Sequence, residues 1–233
     1  MWLGYRGDEG VTKALEYRMD GCLDEDGAYW IELYGRKARL PCHGSILLRE
    51  LLWFGSREDE RTHRLLNWLV QTQGTDGVWP CVYKVKPFSC LWATADVLRA
   101  YRELPEEWNT PDILESRRST EEIFLNSGLY KYGQSRKDAR WLKFGYPLRF
   151  DSDILEVLEL LAPYVRPDDE RIQEGLSIVL GKQDKKGRWR CEKQPQGGQW
   201  MEKFVQFDEI GKPSKWVTLH ALRMLKTLNH NGN

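Results

Sequence analysis

The feature that most constrains this chain is an internal repeat. Asp59-Glu60-Arg61 through Gln73-Gly74-Thr75-Asp76-Gly77-Val78-Trp79-Pro80-Cys81 aligns without gaps on Asp169-Glu170-Arg171 through Gln183-Asp184-Lys185-Lys186-Gly187-Arg188-Trp189-Arg190-Cys191, at an offset of 110. The offset corresponds to two units of about 55 residues. A weaker unit runs from Pro111 to Asn126 and on through Gly128-Leu129-Tyr130-Lys131-Tyr132. Another runs from Val11 through Met19 to Asp26-Gly27-Ala28-Tyr29-Trp30. Four units therefore cover nearly all of the 233 residues, and 1–233 reads as one repeat domain. A repeat of this length is one supersecondary unit that buries its apolar face only by stacking on its neighbours.

Hydrophobic spacing says what the unit is. Segment 57–71 carries Leu65, Leu66, Trp68, Leu69 and Val70, and 171–180 carries Ile172, Leu176, Val179 and Leu180, all at helical intervals. A Gln and a Gly stop that helix, and a G-x-W loop follows. Second, more apolar helices are predicted over 45–54, 91–101, 154–164 and 216–228. Ser56 before Arg57-Glu58-Asp59 and Thr110 before Pro111 suit helix starts. Strand-like alternation is almost absent. The expected fold class is all-α: about four helical hairpins with a polar outer and an apolar inner layer, joined by irregular segments 22–40 and 190–213.

Composition narrows the function. Lys+Arg and Asp+Glu balance at 35 each, which argues against nucleic acid or an anionic membrane as partner. No window of 18 apolar residues exists, so no transmembrane segment is expected. Met1-Trp2-Leu3-Gly4-Tyr5-Arg6 lacks an apolar signal core, so the expected location is cytoplasmic and the five cysteines are expected to be reduced. Eleven tryptophans require many burial sites or an aromatic-lined cavity.

Q-x-x-x-G-x-W after an outer helix, at Gln73 to Trp79 and Gln183 to Trp189, resembles the repeat of squalene and oxidosqualene cyclases and of protein prenyltransferase β subunits. Lys215-Trp216-Val217-Thr218-Leu219-His220-Ala221-Leu222 is similar to the inner helix that follows such a repeat. The resemblance implies an α/α-toroid in which the Gln caps the outer helix and the Trp staples the loop. Family toroids close with more hairpins than the four counted here. The ring is then open, filled by 22–40 and 190–213, or completed by a second copy in a homo-oligomer.

The resemblance also implies chemistry. Class II terpene cyclases carry D-x-D-D at an inner-helix start, and the matching place reads Asp151-Ser152-Asp153-Ile154. Asp153 is then the catalytic acid and Asp151 its neighbour, with Ile154 where the last Asp stands in the family. An acid of this kind needs its pKa raised by burial and carboxylate neighbours. Local physics offers a plainer role: Asp151 or Ser152 caps helix 154–164. The D-D-x-x-D that holds Mg²⁺ on a diphosphate is absent, and Asp168-Asp169 opens an outer helix, where capping explains it. Trp92, Trp216, Thr218 and His220 are expected to line a central cavity for an apolar, isoprenoid-like small molecule.

Soft ligands stand at comparable places. Were the inner helices to converge, Cys42, His43, Cys81 and Cys90 would offer Zn²⁺ a tetrahedron. Spacings of 39 and 9 match no compact zinc signature, and buried thiols are the other reading. Cys42 and His43, adjacent on a helix, are expected to point apart, and no G-x-S-x-G elbow is present. Segment 188–215, with Gln194, Gln196, Gly197, Gly198, Gln199, Trp200, Phe204 and Phe207, reads as a binding loop or a solvated connection. Arg136-Lys137-Asp138-Ala139-Arg140-Trp141-Leu142-Lys143 reads as a surface loop. Two functions remain open: an enzyme or carrier for an isoprenoid-like ligand, or a non-catalytic solenoid-like module that binds a peptide, a protein or its own copy.

Overall fold

A computed structural model of the chain describes residues 7–81, 88–133, 138–148, 151–195 and 208–232. Those residues are largely α-helical, with eight α-helices and two short two-stranded antiparallel sheets. In chain order they are α1 (Glu9–Cys22), β1 (Trp30–Leu33), β2 (Arg36–Arg39), α2 (Pro41–Phe54), α3 (Glu60–Gln71), β3 (Pro80–Cys81), β4 (Phe88–Ser89), α4 (Leu91–Tyr101), α5 (Pro111–Asn126), α6 (Ile154–Leu161), α7 (Gln173–Gly181) and α8 (Lys215–His230). The chain divides into two compact units, Met1–Thr120 and Glu121–Asn233, and the division falls within α5.

In the first unit α2 packs on α4 and on α3. Leu47, Leu48 and Leu51 of α2, Leu65 and Leu69 of α3, and Val97 of α4 are fully buried in its core. Helix α3 keeps Arg64, Asn67 and Gln71 on its exposed side, as an amphipathic surface helix does. It begins at Glu60, later than predicted, because Asp59 is the N-cap and accepts a hydrogen bond from Arg61 N. Ser56 instead accepts, through its carbonyl, a 2.7 Å bond from Thr62 Oγ1. In the second unit α6 packs against α7 and α8. Helix α8 buries Val217, Ala221, Met224 and Leu228 at alternating four- and three-residue steps, and leaves Leu219 and Leu222 exposed.

The two aligned segments build the same joint. Trp79 and Trp189 are both 0 % exposed. Trp79 Nε1 donates to Leu69 O at 2.8 Å, and Trp189 Nε1 donates to Val179 O at 2.6 Å. Their backbone N–H groups donate to Thr94 Oγ1 at 3.1 Å and Thr218 Oγ1 at 3.0 Å. Their carbonyls accept from Cys90 N at 2.9 Å and Ser214 N at 2.8 Å. Each Trp thus ties the end of the helix before the loop to the start of the helix after it. Gly77 and Gly187 turn these loops with φ of 78° and 76°, a region that strains any side chain with a Cβ. The C-cap of α3 is Thr72, and Gln73 instead ties the loop to α5: its Nε2 donates to Gly77 O, and to Ser116 O and Thr120 Oγ1 of α5, at 3.0, 3.1 and 3.0 Å. The Asp-x-Arg pairs also repeat. Arg61 folds onto Asp59 at 2.6 Å and reaches Glu16 and Asp20 of α1 at 2.7 Å each. Arg171 folds onto Asp169 at 2.7 Å and reaches Glu122 at 3.2 Å.

Two expectations are corrected. Segment 22–40 is not irregular: β1 and β2 form a hairpin in register Trp30↔Arg39 to Leu33↔Arg36. Its turn, Tyr34-Gly35, has φ of 53° and 71°, the conformation of a two-residue hairpin turn. Four-residue strands carrying charges are too short for a period-2 pattern to register. Residues 138–143 are not a mere surface loop, because Trp141 is fully buried and Arg140 folds onto Asp138 at 2.7 Å. Arg136 and Lys137 lie outside the described residues. Among the described residues no helix is long and apolar enough to cross a membrane.

Candidate functional site

The start of α6 gathers the densest set of buried charges in the second unit. Asp153 is the N-cap; its Oδ1 accepts from Glu156 N at 3.0 Å and its Oδ2 from Gly145 N at 3.3 Å. The cap is therefore Asp153, not Asp151 or Ser152. It directly precedes the first helical residue in extended backbone, where a carboxylate reaches the third N–H of the helix. Asp151 instead pairs with Lys193, Oδ2 to Nζ at 2.9 Å. Lys193 Nζ also donates to Ser152 O at 3.0 Å and lies 3.9 Å from Asp153 Oδ2. Ser152 Oγ donates to Glu156 Oε2 at 2.6 Å. Asp151, Ser152 and Asp153 are 4 %, 1 % and 1 % exposed, and Glu156 and Lys193 8 % each.

Two buried carboxyl groups, Asp151 and Asp153, thus share the Lys193 ammonium, and a third, Glu156, is held by Ser152. Asp151 Oδ1 is buried without a hydrogen-bond partner among the described residues. Burial pushes the Asp153 pKa up to about 7, against the pull of Lys193; the Glu156 charge adds to the rise, and the two backbone N–H groups oppose it. The Asp153 carboxyl therefore titrates near neutrality.

A stability consequence follows. The ordinary value for this carboxyl is 3.8, so the folded state holds the proton more tightly than the unfolded chain between about pH 4 and pH 7. The contribution of Asp153 is full below about pH 4 and lost as pH rises through about 7, with a slope of at most about 1.4 kcal/mol per pH unit. Urea denaturation across that window should show stability falling with pH, and Asp153→Asn should flatten the fall. An unchanged slope in the variant would refute the assignment of the proton to Asp153.

Lys193 carried no signal in the sequence. It lies in segment 188–215, and a short pairing brings it to α6. Gly145 bridges Lys193, Glu192 N donates to Phe144 O at 2.6 Å, and Phe144 N donates to Glu192 Oε2 at 2.9 Å.

The residue after Gly145 begins an aromatic stack. Tyr146 lies 5.1 Å from Trp216 at an interplanar angle of 21°, and 5.4 Å from His220 at 28°. His220 Nδ1 is 2.6 Å from Glu159 Oε2, and the Lys215 ammonium sits 5.0 Å from the Trp216 ring centroid. Of the four residues expected to line a cavity, Trp216 and His220 share this stack. Thr218 serves as the hydroxyl clip on Trp189, and Trp92 packs against the core of the first unit.

The candidate zinc ligands all lie in the first unit. Cys42 is in the first turn of α2, Cys81 in β3, and Cys90 is the residue before α4. Cys42 Sγ and His43 Nδ1 are 3.3 Å apart, so adjacency does not separate them; side chains lean back along a helix toward its N-terminus, and the imidazole is long enough to reach. Burial holds the Cys42 thiol well above its usual range, with Asp96 and Cys81 adding to the effect. The Cys90 thiol is raised first by its hydrogen bond to Cys81, then by burial. Among the described residues no group of three or more His, Cys, Asp or Glu side chains is arranged to hold a metal ion. Cys90 is buried while Cys42 and Cys81 are half-buried, and a metal would need all three as thiolates.

Of segment 188–215, Gln194 Nε2 donates to Asp208 O at 2.7 Å. Gln196, Gly197, Gly198, Gln199, Trp200, Phe204 and Phe207 lie outside the described residues. Asp169, which with Asp168 was read as a capping pair, is indeed an N-cap. No protein-family model matches the chain, and no curated protein matches it.

Proposed function

We propose that this chain is a hairpin-repeat protein of the terpene cyclase and prenyltransferase type, with its hairpins in an α/α-toroid-like stack. In this reading it binds an isoprenoid-like apolar molecule against Tyr146 and Trp216, with Asp153 as the acid. The observation that carries the reading is a buried carboxyl raised to about 7, hydrogen-bonded to the residue that precedes the aromatic stack. Asp153 gives its proton to an alkene or epoxide of the ligand. The carboxylate left behind is held by Lys193 and two backbone N–H groups, and the new cation lies against aromatic faces. Loss of a proton from that cation restores the acid. Glu156, one turn into α6, supplies the neighbouring carboxylate that Ile154 cannot.

A second reading is favoured by a different observation. Both oxygens of Asp153 already accept backbone hydrogen bonds, and Leu219 and Leu222 of α8 are exposed. Both fit a non-catalytic module that binds a protein or its own copy.

One experiment addresses both. Detergent-dispersed polyprenyl alkenes and their epoxides are added to the purified chain, with tryptophan fluorescence reporting binding and mass spectrometry of extracts reporting products. The first reading expects quenching and a new cyclic or hydrated product. Asp153→Asn should lower turnover by about 100-fold or more while binding persists. Trp216→Ala should weaken binding by about tenfold, the loss of one aromatic contact. Binding without product supports a carrier and removes the acid from the reading. No binding by any of these compounds overturns the ligand class, and light scattering then tests self-association.

A further inference from the structure

The isoprenoid reading makes no use of the first unit's thiols. In the β3–β4 hairpin, Cys81 pairs with Phe88 and Pro80 with Ser89. Cys90 N donates to Trp79 O at 2.9 Å and so extends the pairing by one position. Side chains alternate across a strand, so Cys90, two residues beyond Phe88, lies on the face that Cys81 occupies, diagonally across the hairpin. Their thiols are hydrogen-bonded to each other, and all five cysteines are free. The second repeat lacks this arrangement. Cys191, the equivalent of Cys81, donates its thiol to Lys193 O at 3.2 Å, and the place of Cys90 is taken by Ser214, whose N–H meets Trp189 O.

We propose that Cys81 and Cys90 form a redox-active dithiol, oxidised to a disulfide by a small disulfide such as oxidised glutathione. Cys81 is half-buried and Cys90 buried, so Cys81 is the first to react. The Cys81 thiol gives its proton to solvent, and the sulfur attacks one sulfur of glutathione disulfide. The S–S bond of that molecule breaks, and one glutathione leaves as thiolate. Cys90 then loses its proton and attacks Cys81 sulfur in the mixed disulfide, expelling the second glutathione. The protein loses two hydrogens and two electrons, and one glutathione disulfide becomes two glutathiones. The new bond ties β3 to the start of α4, immediately beyond the Trp79 joint. The hydrogen bond between the thiols and the burial of Cys90 keep Cys90 protonated at rest, so oxidation is set by the approach of the disulfide to Cys81.

The reduced full-length chain is incubated with oxidised glutathione, quenched in acid, alkylated and mapped by peptide mass spectrometry. Alkylatable cysteines should fall from five to three, five less the two joined, with Cys81 and Cys90 in one cross-linked peptide pair. Dithiothreitol should restore all five. Cys90→Ser should stop at a persistent glutathione adduct on Cys81, and Cys191 should stay alkylatable throughout. Separate alkylation of Cys81 and Cys90 in the wild-type chain overturns the proposal. So does a disulfide from either of them to Cys42, or a stable glutathione adduct that Cys90 fails to resolve.

Discussion

Trp189→Ala is expected to lower the unfolding free energy by about 3–5 kcal/mol. The indole is fully buried, so its removal leaves a cavity that rigid helices cannot close. It also leaves Val179 O without the 2.6 Å donor that satisfies the last turn of α7. The joint from the end of α7 to the start of α8 loses its filling while Thr218 still holds the backbone at 3.0 Å. Trp79→Ala should behave alike in the first unit, through Leu69 O at 2.8 Å. Trp189→Phe keeps most of the volume but not the N–H; Val179 O is left with only the 3.2 Å bond from Lys182 N, and the change should cost about 0.5–1.5 kcal/mol, the net worth of one hydrogen bond. Urea denaturation followed by far-ultraviolet circular dichroism measures all three. A loss below about 1 kcal/mol for Trp189→Ala would mean that the indole is not what joins these helices.

The second large effect concerns Lys193. Lys193→Met is expected to cost about 3–5 kcal/mol at pH 8, because a buried ion pair broken from one side leaves its partner uncompensated. Here the stranded partners are Asp151 at 2.9 Å and Asp153 at 3.9 Å, with Glu156 beside them. The loss should shrink at pH 5. Without the ammonium the Asp153 carboxyl holds its proton to a still higher pH, and a protonated carboxyl needs no counter-charge. The variant should therefore show a steeper fall of stability with rising pH than the wild type. A second change, Asp151→Leu, should recover part of the loss by removing the carboxylate paired most closely. Equal destabilisation at both pH values would show that Lys193 acts through packing and not through its charge.

These two predictions mark how far the sequence reaches. The Trp joint was legible because the same local geometry occurs twice. Asp59 to Cys81 and Asp169 to Cys191 repeat at fixed spacing, so the motif announced itself before its contacts were known. The start of helix α5 was legible too, since Pro111 opens it and Thr110 Oγ1 accepts a 3.4 Å bond from Ile113 N. Local capping was harder. Asp59 and Asp153 were each passed over for an earlier residue, because several neighbouring side chains could serve and only the backbone angles choose between them. The short hairpins were missed because strands of two to four residues have no periodicity to read.

The sequence by itself determined the repeat, the helical class, the two stapling tryptophans and the place of Asp153 at a helix start. Those depend on spacing along the chain, which local sterics and amphipathic periodicity translate directly into structure. Only the tertiary structure decided what surrounds that aspartate. Lys193 reaches it from 40 residues away through the pairing of Gly145, Glu192 places the segment, and Gly145, which bonds the carboxyl, is followed by Tyr146 of the aromatic stack. It likewise decided that Cys81 lies with Cys90. Such meetings are set by packing between elements distant in sequence, where no spacing rule applies, and a carboxyl takes its pKa from its surroundings and not from its position in a motif.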